Sequence, residues 1–240
     1  MNNFSFSPIA HISSCYKEKF SIPRQPGLVT AATAELVLNE PYASAEIVRG
    51  LEGFSHIWVI FAFHAVPLGQ WKPTVRPPRL GGNQRLGVFA TRSTHRPNPI
   101  GMSAVNLLDI SIEGSEVKLI LGGCDLLDGT PVLDIKPYIP YADSIPEAKG
   151  GFAPEVPDNK LKVTFSDEAI ALCVAANDRL GVDVRQFIEQ LLSLDPRPSY
   201  QAGTFGERIY AANVYDFNLR WRYLETLEVE VIDLFIREDN

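Results

Sequence analysis

Ser55-His56-Ile57-Trp58-Val59-Ile60-Phe61-Ala62-Phe63-His64 contains the longest apolar run in the chain, Ile57 to Phe63. The run is strand-sized, far short of the roughly 20 apolar residues that a membrane helix needs. Working outward, six more segments are rich in β-branched or aromatic residues and bounded by Gly, Pro or Asp-Gly: Phe6 to Ile12, Leu28 to Leu38, Leu86 to Arg92, Met102 to Ile112, Val117 to Gly122 and Pro131 to Ile139. About seven strands with no long amphipathic helix among them predict a mainly β protein with an N-terminal β-barrel. Asp128-Gly129 reads as a turn, because Gly tolerates the positive φ that tight turns require.

From Pro140 to Asn159 prolines and glycines gather among charged residues, as in a linker. Beyond it the periodicity changes. Ser166 can cap a helix whose first turn carries Asp167 and Glu168. Val184, Phe187, Ile188, Leu191 and Leu192 then share one helical face. Aromatic strands follow at Arg208 to Val214, Phe217 to Tyr223 and Leu227 to Phe235. The expected organisation is a barrel over 1–143, a linker over 144–159 and a small α+β domain over 160–240.

Charge is segregated. Between Glu52 and Asp109 there is no acidic residue, yet Lys72, Arg76, Arg79, Arg85, Arg92 and Arg96 lie there with His56, His64 and His95. The chain as a whole carries a net charge of -7, so the block is a basic island in an acidic molecule. Such segregation describes a surface for an anion. Two prolines in Arg96-Pro97-Asn98-Pro99 stiffen the loop and hold its arginine, which lowers the entropy lost on binding.

Other chemistries find less support. His56 and His64, on one strand, would sit roughly 26 Å apart and could not share an ion. With no HExxH and no clustered cysteines, no metal is expected. Cys15, Cys124 and Cys173 are widely spaced and odd in number, which indicates a reducing cytoplasm. The N-terminus has no signal-peptide pattern. There is neither GxGxxG nor GxxxxGK[ST], and the glycine-rich Leu80-Gly81-Gly82-Asn83 lacks a following helix. Ser93, Thr94 and His95 lack the third group of a triad. Along Pro131 to Ile139, Asp134, Lys136 and Tyr138 share one strand face; that face is either a catalytic wall or the wet side of a half-exposed sheet.

Four motifs, in order, carry a resemblance. Glu18-Lys19-Phe20-Ser21-Ile22-Pro23-Arg24-Gln25-Pro26-Gly27, Leu51-Glu52-Gly53-Phe54-Ser55-His56-Ile57-Trp58, Val88 to Gly101, and Asp128-Gly129-Thr130-Pro131-Val132-Leu133-Asp134-Ile135-Lys136-Pro137-Tyr138 are similar to the TsaA-like family typified by TrmO. The resemblance continues through Asp195 to Tyr200 and Tyr215 to Arg222, as in the longer bacterial members. It implies an S-adenosylmethionine-dependent methyltransferase built on a barrel, acting on N6 of threonylcarbamoyladenosine at position 37, in the anticodon loop of tRNA, chiefly threonine tRNA. It also implies a homodimer with the cofactor near the subunit interface.

By the same resemblance the cofactor pocket would draw on Arg24, Gln25, Pro26, His64, Ala65, Arg92, Met102, Asp128, Gly129, Thr130 and Pro131. S-adenosylmethionine presents a carboxylate that a guanidinium can bind bidentately, which suits the arginines. For the proton on N6 the candidate base is Asp134, with His64 second and Tyr138 orienting. Phosphate contact suits Arg76, Arg79, Arg85, Arg96 and Lys136. Arg197, Arg220 and Arg222, interleaved with Tyr200, Phe205, Tyr210, Tyr215, Trp221 and Tyr223, make the C-terminal domain a candidate for contacting RNA, although most of those rings are expected in a core. Two other classes are compatible with the basic block: a non-enzymatic RNA-binding barrel, and an enzyme acting on a small anionic substrate.

Overall fold

The computed structural model describes residues 4–67, 69–81, 83–156, 161–197 and 205–237. Gly82, Tyr200 and the end of the expected linker at 157–160 lie outside them. In chain order the first half contains β1 (Ala10–Ser14), β2 (Thr33–Leu38), the short helix α1 (Ala45–Val48), β3 (His56–Ala62), β4 (Thr74–Val75), β5 (Leu86–Gly87), β6 (Ile100–Glu113), β7 (Glu116–Gly122), β8 (Pro131–Pro137) and α2 (Pro140–Asp143). Six of these strands close a barrel in the order β1-β2-β7-β6-β3-β8, every pair antiparallel.

Closure follows from strict alternation. On β2 every second residue is buried and on β3 Ile57, Val59 and Phe61 point inward. They meet Ile12, Leu36, Val105, Leu119, Leu121 and Val132 in one barrel core. Each such fully buried side chain contributes about 1.5–3 kcal/mol, and a closed ring leaves no unpaired edge.

The barrel therefore has six strands, and the expected Leu86 to Arg92 strand is not one of them. Only Leu86 and Gly87 are extended, pairing with Thr74 and Val75 outside the barrel, and Val88 to Ala90 form a 3-10 turn. The prolines at 73, 77 and 78 prevent a longer ladder. The expected Leu28 to Leu38 strand begins at Thr33, because the Ala32 amide turns back onto Val29. At the end of β3, the His64 amide bonds to the Ala62 carbonyl at 2.8 Å, so His64 leaves the strand and does not share the face of His56.

In the second half β9 (Lys162–Phe165), α3 (Asp167–Leu180), α4 (Val184–Ser193), β10 (Ile209–Val214), β11 (Phe217–Glu225) and β12 (Glu228–Ile236) form a mixed sheet, β10-β11-β12-β9, with β9 parallel to β12 and two helices. Ser166 caps α3, its hydroxyl accepting from the Ala169 amide at 3.0 Å. The five apolar residues read as one face of α4 are its buried residues.

The two halves share a core. Cys15, Tyr16, Val29 and Ala32, from the segment joining β1 to β2, are buried with Phe187, Leu191, Val214, Phe217 and Trp221. Tyr16 bridges to Val214, and the Gln190 side chain accepts the Ala31 amide at 2.9 Å. Among the described residues no helix is long and apolar enough to cross a membrane.

Candidate functional site

Antiparallel closure puts the ends of β1, β3 and β7 and the starts of β2, β6 and β8 at one end of the barrel. Their loops are stitched together. The Gly27 amide donates to the Gly123 carbonyl at 2.8 Å, and the Gly123 amide donates to Ala32 at 2.9 Å. Gly123 has φ 64, and a Cβ there would lie 3.2 Å from the Gly27 Cα, so only glycine lets the loop carrying Arg24 and Gln25 approach this closely. The Phe63 amide bonds to the Pro99 carbonyl at 2.8 Å, tying the loop after β3 to the stiff segment before β6. That segment is braced internally: the Arg96 guanidinium donates to the Thr91 carbonyl at 3.1 Å, and the His95 amide to the Ser93 hydroxyl at 3.2 Å.

Between these loops lies a cleft of about 550 Å³, a size suited to a nucleotide-like ligand. One wall is apolar, with Ile22, Phe61, Phe63, Val66, Ile100 and Leu126. Phe61 and Phe63 pack edge to face at 5.3 Å; Gly101 makes room for them, since a Cβ there would meet the Phe61 ring at 2.4 Å. The other wall is cationic, with Lys19, Arg24, Arg92 and Arg96 beside His64 and His95. Arg92 donates to the Gln25 side-chain oxygen, and Lys19 to the Ala65 carbonyl. Burial and the charge of Lys19 lower the His64 pKa, which leaves its imidazole neutral at neutral pH.

Among the described residues Asp125 is the one carboxylate that lines this cleft. Its Oδ1 is buried without a hydrogen-bond partner, beside the buried Ser103. Burial pushes its carboxyl up to about 6, the Ser103 hydroxyl and Arg92 pulling the other way. Nothing in the sequence marked it as a site residue. The available signal was a lone acid set in the apolar run Gly122-Gly123-Cys124-Asp125-Leu126-Leu127, where an ionised group has no structural reason to be.

Of the residues expected at a cofactor, Arg24, Gln25, His64, Ala65, Arg92, Met102 and Thr130 line the cleft, and so does Arg96. Pro26, Asp128, Gly129 and Pro131 do not. Asp128 instead holds the loop before β8 onto β1: it accepts from the Ser14 amide at 2.8 Å and pairs with Lys17 at 2.8 Å. Gly129, at φ 73, completes that clamp through its amide to Ile12. Asp134, Lys136 and Tyr138 do not line the cleft either. Asp134 pairs with Lys136 at 2.9 Å, and Tyr138 packs on Trp58 with ring centroids 5.7 Å apart. That strand face thus lies outside the cleft.

In the C-terminal half Arg197 pairs with Asp195 at 2.8 Å, Arg220 with Asp233, and Arg222 with Glu230 at 2.7 Å. Tyr210, Trp221 and Tyr223 are core residues, and Arg197 stacks on Tyr223. Among the described residues no group of three or more His, Cys, Asp or Glu side chains could hold a metal ion.

The cleft meets the separate demands of S-adenosylmethionine: guanidinium groups for a carboxylate, an apolar wall for an adenine ring, and an orphaned buried oxygen for positive charge. Fold and cleft are those of a barrel-type methyltransferase, with candidate donor-binding loops at one barrel end in place of a glycine-rich turn. The chain belongs to the TrmO family. Residues 11–144 match the tRNA-methyltransferase O N-terminal domain, and residues 158–235 match the TrmO C-terminal domain. A tRNA (adenine(37)-N6)-methyltransferase of Escherichia coli is 51% identical over 222 residues, 92% of this chain and 94% of that protein. A crystal structure of TrmO from Pseudomonas aeruginosa superposes with a TM-score of 0.82 at 42% identity, covering 98% of this chain and 99% of that one. A probable S-adenosyl-L-methionine-binding protein of Methanothermobacter thermautotrophicus is 37% identical over 138 residues, 58% of this chain but 92% of that protein.

Proposed function

We propose that this chain transfers a methyl group from S-adenosylmethionine to N6 of threonylcarbamoyladenosine at position 37 of tRNA, chiefly threonine tRNA, and that it works as a cytoplasmic homodimer. The chain is an S-adenosylmethionine-dependent tRNA (adenine(37)-N6)-methyltransferase, in keeping with its 51% identity to the Escherichia coli enzyme across both halves. The observation that carries the site assignment is the cleft that joins Arg24, Gln25, Arg92 and Asp125 at one barrel end.

Bound S-adenosylmethionine supplies the electrophilic methyl. The chain's own residues hold and neutralise: Arg24 and Arg92 receive a carboxylate, while the walls bring donor and acceptor to near-attack distance. The proton on N6 must leave as the carbon–nitrogen bond forms. His64 is the base we favour over Asp134, because it lines the cleft with a lowered pKa while Asp134 is paired with Lys136 outside it. Tyr138 then has no imidazole or carboxylate of the cleft to orient.

RNA reaches the cleft across the acid-free segment. Arg76 and Arg85 are exposed and form no ion pair among the described residues, as phosphate contacts require. Arg79 donates to the Glu155 carbonyl, and Lys136 is held by Asp134. Arg197, Arg220 and Arg222 are poorer candidates, since neighbouring carboxylates already offset their charge. For the dimer, the support is a set of exposed apolar side chains on β6, Ile100 and Met102 at the cleft and Leu108 and Ile112 further along the strand. On this reading 1–143 carries cofactor and chemistry, 144–159 links, and 160–240 supports the barrel and its RNA approach.

Mass spectrometry of nucleosides from threonine tRNA tests the function directly. Cells without this protein should lack the N6-methyl derivative, and adding the purified protein with S-adenosylmethionine should restore it. Unchanged modification in its absence would sink the proposal.

A further inference from the structure

The donor and the product of this reaction differ by one methyl and one positive charge. A wall of Phe and Leu distinguishes a methyl group poorly, whereas a fixed charge in a site shielded from water distinguishes strongly. The cleft presents four cationic side chains, Lys19, Arg24, Arg92 and Arg96, which suit the carboxylate of a methionyl group but oppose a sulfonium. Among the described residues lining it one carboxylate can offset that opposition: Asp125, half-buried, with its Oδ1 buried and without a hydrogen-bond partner.

We propose that Asp125 faces the positively charged sulfur of S-adenosylmethionine and makes the cleft prefer the methylated donor over S-adenosylhomocysteine. The inference rests on the reading of this cleft as the cofactor site. A buried carboxylate oxygen without a hydrogen-bond partner is costly to maintain, and proteins keep such atoms where a ligand completes them. Loss of the methyl leaves a neutral thioether, so the same carboxylate that attracts the donor loses its attraction for the product. Around Asp125 stand Arg92, the Ser103 hydroxyl, the Cys124 thiol and the Tyr16 phenol. His64 and His95 line the same cleft.

Isothermal titration of S-adenosylmethionine and S-adenosylhomocysteine into the full-length protein at pH 8 tests this. Asp125→Asn should weaken binding of the donor by about tenfold or more while product affinity stays within about threefold. Equal losses for both ligands, or no change in either, would overturn the assignment, and so would slower turnover with an unaltered donor-to-product ratio. Failure of both ligands to bind the wild-type protein would instead overturn the reading of the cleft.

A second measurement needs no variant. Between pH 8 and pH 5 the wild-type preference for donor over product should collapse as Asp125 takes up a proton. Both ligands share their amino-acid and adenosine parts, so the ratio isolates the sulfur. A preference that is constant with pH, or one that collapses identically in Asp125→Asn through His64 or His95, would overturn the inference.

Discussion

Two sets of arginines, one in the C-terminal half and one along the acid-free stretch and cleft of the barrel half, are used in opposite ways. In the C-terminal half Arg179, Arg197, Arg220 and Arg222 each face a carboxylate: Asp216, Asp195, Asp233 and Glu230. The guanidinium of Arg197 also stacks on Tyr223, and that of Arg220 lies over Phe235. In the barrel half Arg24, Arg76, Arg79, Arg85, Arg92 and Arg96 form no ion pair among the described residues. Asp125, the acid that shares the cleft with Arg24, Arg92 and Arg96, is half-buried, and its Oδ1 is buried without a hydrogen-bond partner. A guanidinium that is satisfied within the chain stabilises it, whereas one that is not is available for a ligand. The acid-free run from Gly53 to Leu108 is what keeps the barrel set available.

The sharpest way to break the contrast is Arg92→Glu. Reversing charge in the cleft should lower tRNA methylation by about 10³-fold, through lost carboxylate binding, and leave the melting temperature nearly unchanged. A large fall in melting temperature with activity intact would reverse the assignment. Arg220→Ala should do the opposite. Removing it strands Asp233, which is 4% exposed, at a cost of about 2 kcal/mol once the partial exposure of Arg220 is allowed for. Denaturant melts should register that loss, while S-adenosylmethionine affinity stays within about twofold.

Asp125 sharpens the comparison because it is a functional group that costs stability. Its folded pKa, about 6, lies above the ordinary 3.8, so the folded state holds the proton more tightly than the unfolded chain does. The cost is absent below about pH 4, grows between pH 4 and 6, and is fully present above 6. Asp125→Asn should therefore raise stability at pH 8 by roughly 2 kcal/mol and by nearly nothing at pH 4, as measured by urea unfolding at both pH values. The smallest effect concerns RNA. Arg85→Ala should weaken tRNA binding a few-fold and reduce the slope of log K against log salt by about 1, with cofactor affinity unaltered. An unchanged slope would remove Arg85 from the phosphate-contacting surface.

The shared core also bears on how far the halves can be separated. Tyr16, Val29 and Ala32 lie in the segment that carries Arg24 and Gln25, yet they are buried against α4, β10 and β11. Removing residues 160–240 would expose them and loosen one side of the cleft. Cofactor affinity should therefore fall along with tRNA binding, and the C-terminal half acts on the site through packing.

Much of this was legible in the residues themselves. Strict alternation at Ile57, Val59 and Phe61 specifies a strand with one buried face, and the helical spacing from Val184 to Leu192 specifies one buried helix face. Ser166 with Asp167 and Glu168 marks a helix start for the same local reason, since a cap bond spans only three residues. The four-residue strand β9 was not legible, because it is defined by its parallel pairing with β12, more than sixty residues away. Leu86 to Arg92 misleads for the converse reason: its residues favour extension, but the flanking prolines deny it a partner ladder.

By itself the sequence determined the segments that form the barrel strands, though it added Leu86 to Arg92 to them, and also the helices of the second half, the segregated charge and the family, because each of these resides in short-range pattern or in motif order. Tertiary structure alone decided which charges are satisfied and where. Asp134 and Asp125 are nine residues apart and equally acidic on paper. Barrel closure sets one beside Lys136 on the outer face and the other at the cleft, with one carboxylate oxygen buried and unbonded. What an ionisable group does is set by its solvation and its neighbours, and those exist only once the chain has folded.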